Sequence, residues 1–220
     1  IRNMKNHSPS LTMTPWEKAI VLILQIWGGP IDEDTLYQII AMSEVFSENE
    51  SETFQSTISM LQEKELIEGG PREWLLKGRH NPLLQNIFSQ ISDQLFYKNI
   101  VYEFLSRRNS GQSHAELRYR LSRELNCTTP DDAKTYLHQA IICGKEVPQE
   151  LMDNAHLEKG RRSDCLLAGI KFCRERRFEE AFAWIDSVSD DEITADIEAF
   201  RATLLNRVRR SEEAETALLR

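Results

Sequence analysis

With 220 residues and 40% hydrophobic side chains, the chain has enough apolar surface for one domain of ordinary size and a second region, which excludes wholesale disorder. A net charge of −8 argues against a dedicated nucleic-acid binder and against work at an anionic membrane surface. The longest apolar run, residues 19–26 with Gln25 inside it, is far too short to cross a bilayer, and no signal-peptide pattern precedes it. Cys127, Cys143, Cys165 and Cys173 show neither a CxxC pair nor another metal spacing, so they read as reduced thiols of a cytoplasmic protein. The first residue is Ile rather than Met, and the chain is expected to be part of something longer.

Residues 1–13 are polar and unpatterned, a loose lead-in. The first helix is well marked: Thr14 is its N-cap, Pro15 its first residue, and Glu17 completes a capping box. It runs to Trp27 and stops at Gly28-Gly29-Pro30. Ala19, Ile20, Ile23, Leu24 and Trp27 share one side, but Val21, Leu22 and Ile26 make the helix apolar nearly all round. Such a helix is buried on most faces, so a second surface is expected to pack over it. A second helix follows Asp32, with Leu36, Ile39 and Ile40 inward. A third follows Asn49 and carries Phe54, Ile58 and Leu61 on one face. Residues 66–68 and 73–76 read as short strands turned by Gly69-Gly70-Pro71. His80 sits just before the next helix, where Asn81 is a good N-cap and Pro82 suits the first helical position.

Three helices followed by a β-hairpin is the order of a winged helix, predicted here over residues 14–91. The familiar use of that fold is DNA binding through the third helix. The charges disfavour it. Residues 14–91 hold five basic and twelve acidic residues, a net −7. Glu50, Glu52, Glu63 and Glu65 surround Lys64 on the third helix, which offers no Arg to reach a guanine edge. Arg72, Lys77 and Arg79 on the wing read as a solvated rim.

From Pro82 an apolar pattern continues through Leu95, Ile100, Val101, Phe104 and Leu105, predicting one long helix with a bend near Tyr97-Lys98-Asn99. It is expected to bridge to a second region. Ser113 caps a helix with Leu117, Leu121 and Leu125. Thr129-Pro130 opens another that ends at Gly144, and Pro148 opens a third that closes near Gly160. Residues 92–160 are thus a linker helix and a helical bundle with short polar turns, which imply antiparallel neighbours. Over residues 161–220 a repeat emerges. Ser163 starts a helix with Gly169 and Phe172, turned by residues 174–177 into Phe178-Glu-Glu-Ala181. Ser211-Glu-Glu-Ala214 renews that second helix start one period later, with Ala202 and Leu205 placed like Gly169 and Phe172. The spacing and the small residues resemble tetratricopeptide repeats, whose period is about 34. A solenoid does not end on an open apolar face, so the repeats are expected to continue past Arg220. The fold class is therefore mainly α: a winged-helix domain followed by an antiparallel, tetratricopeptide-like solenoid.

A winged helix whose last strand leads through a short motif into a helix resembles that of the STAND ATPases, the signal-transducing NTPases that include NB-ARC and NACHT proteins. Their landmark is a Met-His-Asp motif at this place. Here Arg79-His80-Asn81 occupies it, followed by Pro82-Leu83-Leu84; His80 matches, while Arg79 and Asn81 depart from Met and Asp. The resemblance covers about residues 14–92. It implies that His80, with Arg79 and Asn81, contacts the β-phosphate of ADP and holds a closed resting state against an NTPase domain. No GxxxxGK[ST] or GxGxxG loop is present, so this chain carries no cofactor of its own and no enzyme activity. ADP or ATP with Mg belongs to the parent protein, whose upstream NTPase domain is the first implied partner. A protein ligand on the repeats, with Arg174 and Arg207 as exposed candidates, and a homo-oligomer on activation are the others, in innate-immune, antiviral or transcriptional signalling.

Without the resemblance, the residues describe a non-catalytic protein-interaction adaptor or regulator. His7, His114, His138 and His156 stand apart, and no Ser/His/Asp or Cys/His order suggests a nucleophile. A membrane partner is not expected, and DNA is the least favoured partner.

Overall fold

In the computed structural model, which describes residues 13–43, 50–77, 82–107 and 114–208, Thr14 and Glu17 close the expected capping box. The Glu17 N–H donates to the Thr14 hydroxyl at 3.2 Å, and the Thr14 N–H donates to the Glu17 carboxylate at 2.9 Å. The helix they start, α1 (Pro15–Trp27), ends at Gly28, whose φ of 80° needs no Cβ. Residues Ala19 through Leu24 are all essentially inaccessible to solvent. Each large aliphatic side chain among them contributes roughly 1.5–3 kcal/mol by burial. So α1 is the core of the first unit, Ile1–Asn109.

Around it stand α2 (Glu33–Ala41), α3 (Glu50–Glu63), and an antiparallel hairpin of β1 (Ile67–Gly70) and β2 (Glu73–Leu76). The Asp32 carboxylate caps α2 at the Thr35 N–H, 2.9 Å away; Asn49 lies outside the described residues. The hairpin pairs Ile67 with Leu76 and Gly70 with Glu73, leaving Pro71 and Arg72 as the turn. The first strand therefore starts later and runs further into the glycines than the pattern predicts. Gly69 makes this possible: its φ is 115°, and a Cβ there would fall 2.0 Å from the Glu73 carbonyl oxygen. Ile31, between α1 and α2, adds an antiparallel bridge to Trp74 through both of its backbone groups, at 3.1 and 2.8 Å.

The surface expected over α1 exists. It is formed by α4 (Pro82–Phe88) and α5 (Ile91–Arg107), both packed on α1. The helix from Pro82 is not continuous, and it breaks at Ser89-Gln90 rather than bending at Tyr97-Lys98-Asn99. Side chains at the junction explain the break. Gln94 turns its amide back onto the Phe88 carbonyl, while Lys18 of α1 holds both Gln90 and Asp93. This lets α5 fold onto α1 and α2, so its contacts place it within the first unit.

The second unit, Ser110–Arg220, is helical throughout its described part. It holds α6 (Ala115–Glu124), α7 (Pro130–Ile142), α8 (Gln149–Ala155), α9 (Arg162–Arg174), α10 (Phe178–Ile185) and α11 (Ala195–Arg207), with a 3₁₀ turn at Asp190–Glu192. Thr129 and Asp132 form a second capping box at α7. At α6 the cap position is His114, whose side chain makes no capping hydrogen bond, and the expected Ser113 lies outside the described residues. α8 stops at Ala155 rather than near Gly160, because His156 turns left-handed at φ 46°. Small residues are interspersed among larger aliphatic ones in the core, among them Ala133, Ala140, Ala155, Ala168 and Ala181, and let the helices approach closely. The molecule is thus mainly helical with a small two-stranded antiparallel sheet.

Candidate protein-binding surface

Three helices of the second unit share a length and a spacing. α7, α9 and α11 are each 13 residues long, and they begin at nearly even steps along the chain, at Pro130, Arg162 and Ala195. α7 packs on α9, and α9 on α11. Ion pairs tie the row together. Lys134 of α7 reaches Asp164 of α9 at 2.7 Å, and that carboxylate, almost wholly buried, also accepts the Glu158 N–H at 3.0 Å. The Arg162 guanidinium of α9 meets Asp196 of α11 at 2.7 Å, while its N–H donates to Glu192 at 2.8 Å. The Thr194 hydroxyl, and then Arg162, hold the Asp196 carboxyl down at about 2.

α9 meets α11 closely at Gly169. A Cβ there would lie 2.9 Å from the Phe200 ring and 3.0 Å from Ile185, so α10 and α11 both press onto this glycine. Ala181, fully buried, plays the matching part on α10. With Arg162 against Asp196 at one end and Gly169 against Phe200 midway, α9 and α11 run in the same direction. Their last residues, Arg174 and Arg207, therefore emerge at the same end of the unit. Both are exposed, and neither makes an ion pair among the described residues. The sequence picks these two residues from exposure alone; the fold brings them to one edge.

The inter-helix ion pairs are what sequence reasoning missed. Their signal is opposite charges about one repeat apart, 30 residues for Lys134 and Asp164 and 34 for Arg162 and Asp196. Arg79, His80 and Asn81 lie outside the described residues. On either side of them β2 ends at Leu76 and α4 begins at Pro82.

On the first unit, Lys64, directly after α3, is turned inward to the buried Glu17. Burial alone would raise the Glu17 carboxyl, but Lys64 and the Thr14 N–H outweigh it and hold it below its ordinary value. Lys77 on the wing faces Glu65 at 3.7 Å. Among the described residues no three His, Cys, Asp or Glu groups converge in a way that could hold a metal ion. No helix among them is long and apolar enough to cross a membrane. All four cysteines are free thiols, with Cys165 and Cys173 buried. Neither a protein-family model, a curated protein nor a solved structure matches this chain.

Proposed function

We propose that this chain is the regulatory and ligand-sensing part of a STAND-type ATPase of the cytoplasm, with a winged helix that holds the ADP-bound resting state and tetratricopeptide-like repeats that bind an activating protein. The observation that carries the sensing half is the recurrence of α7, α9 and α11, equal in length and evenly stepped in sequence, with Gly169 of α9 closely approached by Phe200 of α11. Stacked helix pairs of this period present extended surfaces on which protein partners lie. The winged-helix half is supported by the order α1–α2–α3–hairpin and by Ile31, which adds a third, one-bridge strand beside Trp74. The nucleotide role rests on the place of Arg79-His80-Asn81 between wing and helix. An imidazole N–H ahead of a helix start joins backbone donors around an anion.

In this reading the first unit and an NTPase domain of the parent protein close over ADP through His80. Ligand on the repeats favours the open arrangement, releases the nucleotide and permits assembly, a population shift driven by the ligand's preference for one state. The test is the nucleotide content of the purified parent protein. His80→Ala is expected to lower retained ADP and raise ligand-independent activity. Unchanged ADP occupancy with unchanged basal activity would leave the adaptor reading in place: a non-catalytic protein-interaction module built from the same two units.

A further inference from the structure

The arginines of the second unit fall into two groups. Arg118, Arg123, Arg162, Arg177 and Arg201 each pair with a carboxylate of the same unit. Arg161, Arg174, Arg176 and Arg207 are exposed and have no ion pair among the described residues; Arg161 stands alone at the start of α9, and the other three lie together elsewhere. Arg174, Arg176 and Arg207 belong to the end of the unit where α9 and α11 terminate. Arg174 and Arg207 are the last residues of those helices, and Arg176 follows shortly after α9 at φ 60°. The left-handed position that Arg176 occupies is filled by Gly144 after α7, at the same distance from the helix start. A basic residue thus stands where the backbone favours glycine.

The pattern repeats in sequence. Arg174-Glu-Arg-Arg177 is matched one repeat later by Arg207-Val-Arg-Arg210, in step with the helices. Complementing a helix dipole needs one cation per terminus. The guanidinium groups of Arg174, Arg176 and Arg207, without an ion pair among the described residues, exceed that need. Guanidinium forks fit carboxylates in a bidentate way, and they do so best when not already engaged.

We infer that this edge binds an extended acidic segment of a protein partner, laid across the ends of α9 and α11. The inference rests on the proposed sensing role of the repeats and names the chemistry of what they sense. Spacing sets the partner's pattern. Packed helix axes lie about 8–10 Å apart, and an extended chain advances about 3.3 Å per residue. Carboxylates at every third residue therefore meet successive helix ends. Nucleic acid is the weaker fit, because Glu175, Glu179 and Glu180 interleave with the arginines and the whole chain is acidic.

The test uses a fluorescent peptide of about twelve residues with Glu at every third position in a Gly/Ser background, at the spacing an extended strand requires. A peptide of the same composition with its Glu residues clustered at one end, and a single-stranded oligonucleotide of equal charge, are the comparisons. The chain is expected to bind the spaced peptide at low salt, roughly tenfold more tightly than the clustered one. Arg174→Glu with Arg207→Glu should abolish this with an unchanged melting temperature, and Arg161→Glu, at the opposite end of α9, should not. Arg174→Gln with Arg207→Gln gives the same reading if the reversed variant does not fold. Equal binding of the two peptides, preference for the oligonucleotide, no measurable binding, or no loss in the folded double variants would overturn the inference. The probe is read on this chain itself, whereas the sensing role is read by ligand activation of the parent protein, so either can fail alone.

Discussion

At the scale of single residues, Gly169 decides how closely the second unit can pack. Two effects oppose each other when a side chain is added there. Glycine inside a helix costs about 0.5–1 kcal/mol relative to alanine. An added Cβ, however, meets Phe200 at 2.9 Å and Ile185 at 3.0 Å. Those atoms are ends of side chains, so a single methyl is accommodated by shifts of a few tenths of an ångström. Gly169→Ala is therefore expected to stay within about 1 kcal/mol of the parent, the helical gain offsetting the crowding. Gly169→Leu has no such offset and should lose roughly 1–3 kcal/mol by overpacking. Urea unfolding of the two variants measures the difference, and a Leu variant as stable as the Ala variant would mean that α9, α10 and α11 do not meet at this residue.

Among elements, α1 is tied to the end of α3 by the pair of Glu17 with Lys64. Glu17 is buried, yet its carboxyl is held below its ordinary value by Lys64 and the Thr14 N–H. A carboxyl depressed on folding adds stability above its unfolded pKa, and that stability fades as the pH falls through the folded value. Fully buried pairs lose about 3–5 kcal/mol when one partner is removed. Lys64 keeps a third of its side chain in water (32% exposed), and Thr14 remains on the carboxylate. Lys64→Met should therefore cost about 1–3 kcal/mol at neutral pH, with the loss shrinking in acid; Glu17→Gln should flatten the acid limb. Denaturant titrations across the carboxylate range read both. The sequence shows such elements where the signal is local. Thr14, Asp32 and Thr129 announce their helices, and the all-round apolarity of α1 announces a covering layer. It fails where the cause lies far along the chain. The break before α5 depends on Lys18, 72 residues from the Gln90 it holds, and no local pattern at Ser89-Gln90 reports that. The end of α8 is missed for a related reason: His156 takes a left-handed turn that the sequence would assign to the glycine at 160. Arg174 and Arg207 are legible as exposed residues, but their shared edge follows only once Gly169 and Asp196 fix the direction of α11.

Across the whole molecule, charge is unevenly spread, and that separates the readings of the first unit. Residues 14–91 carry −7 of the chain's −8, leaving −1 for the rest. A winged helix that binds duplex DNA needs cations on its third helix and wing, because each phosphate contact releases counterions and supplies much of the affinity. Lys64 is committed to Glu17, and Lys77 faces Glu65. Arg72 at the hairpin tip is exposed, but even together with Arg79 two phosphate contacts give a salt slope of only about −1.8 and little binding at physiological salt. The surrounding carboxylates oppose even that. The chain is therefore expected to show no association with a generic duplex at physiological salt, measured by fluorescence anisotropy, and Arg72→Ala should change nothing. A micromolar affinity that falls steeply with salt would mean that cations outside this accounting reach the phosphates, and the first unit would then be read as a DNA-binding domain instead of a nucleotide lock.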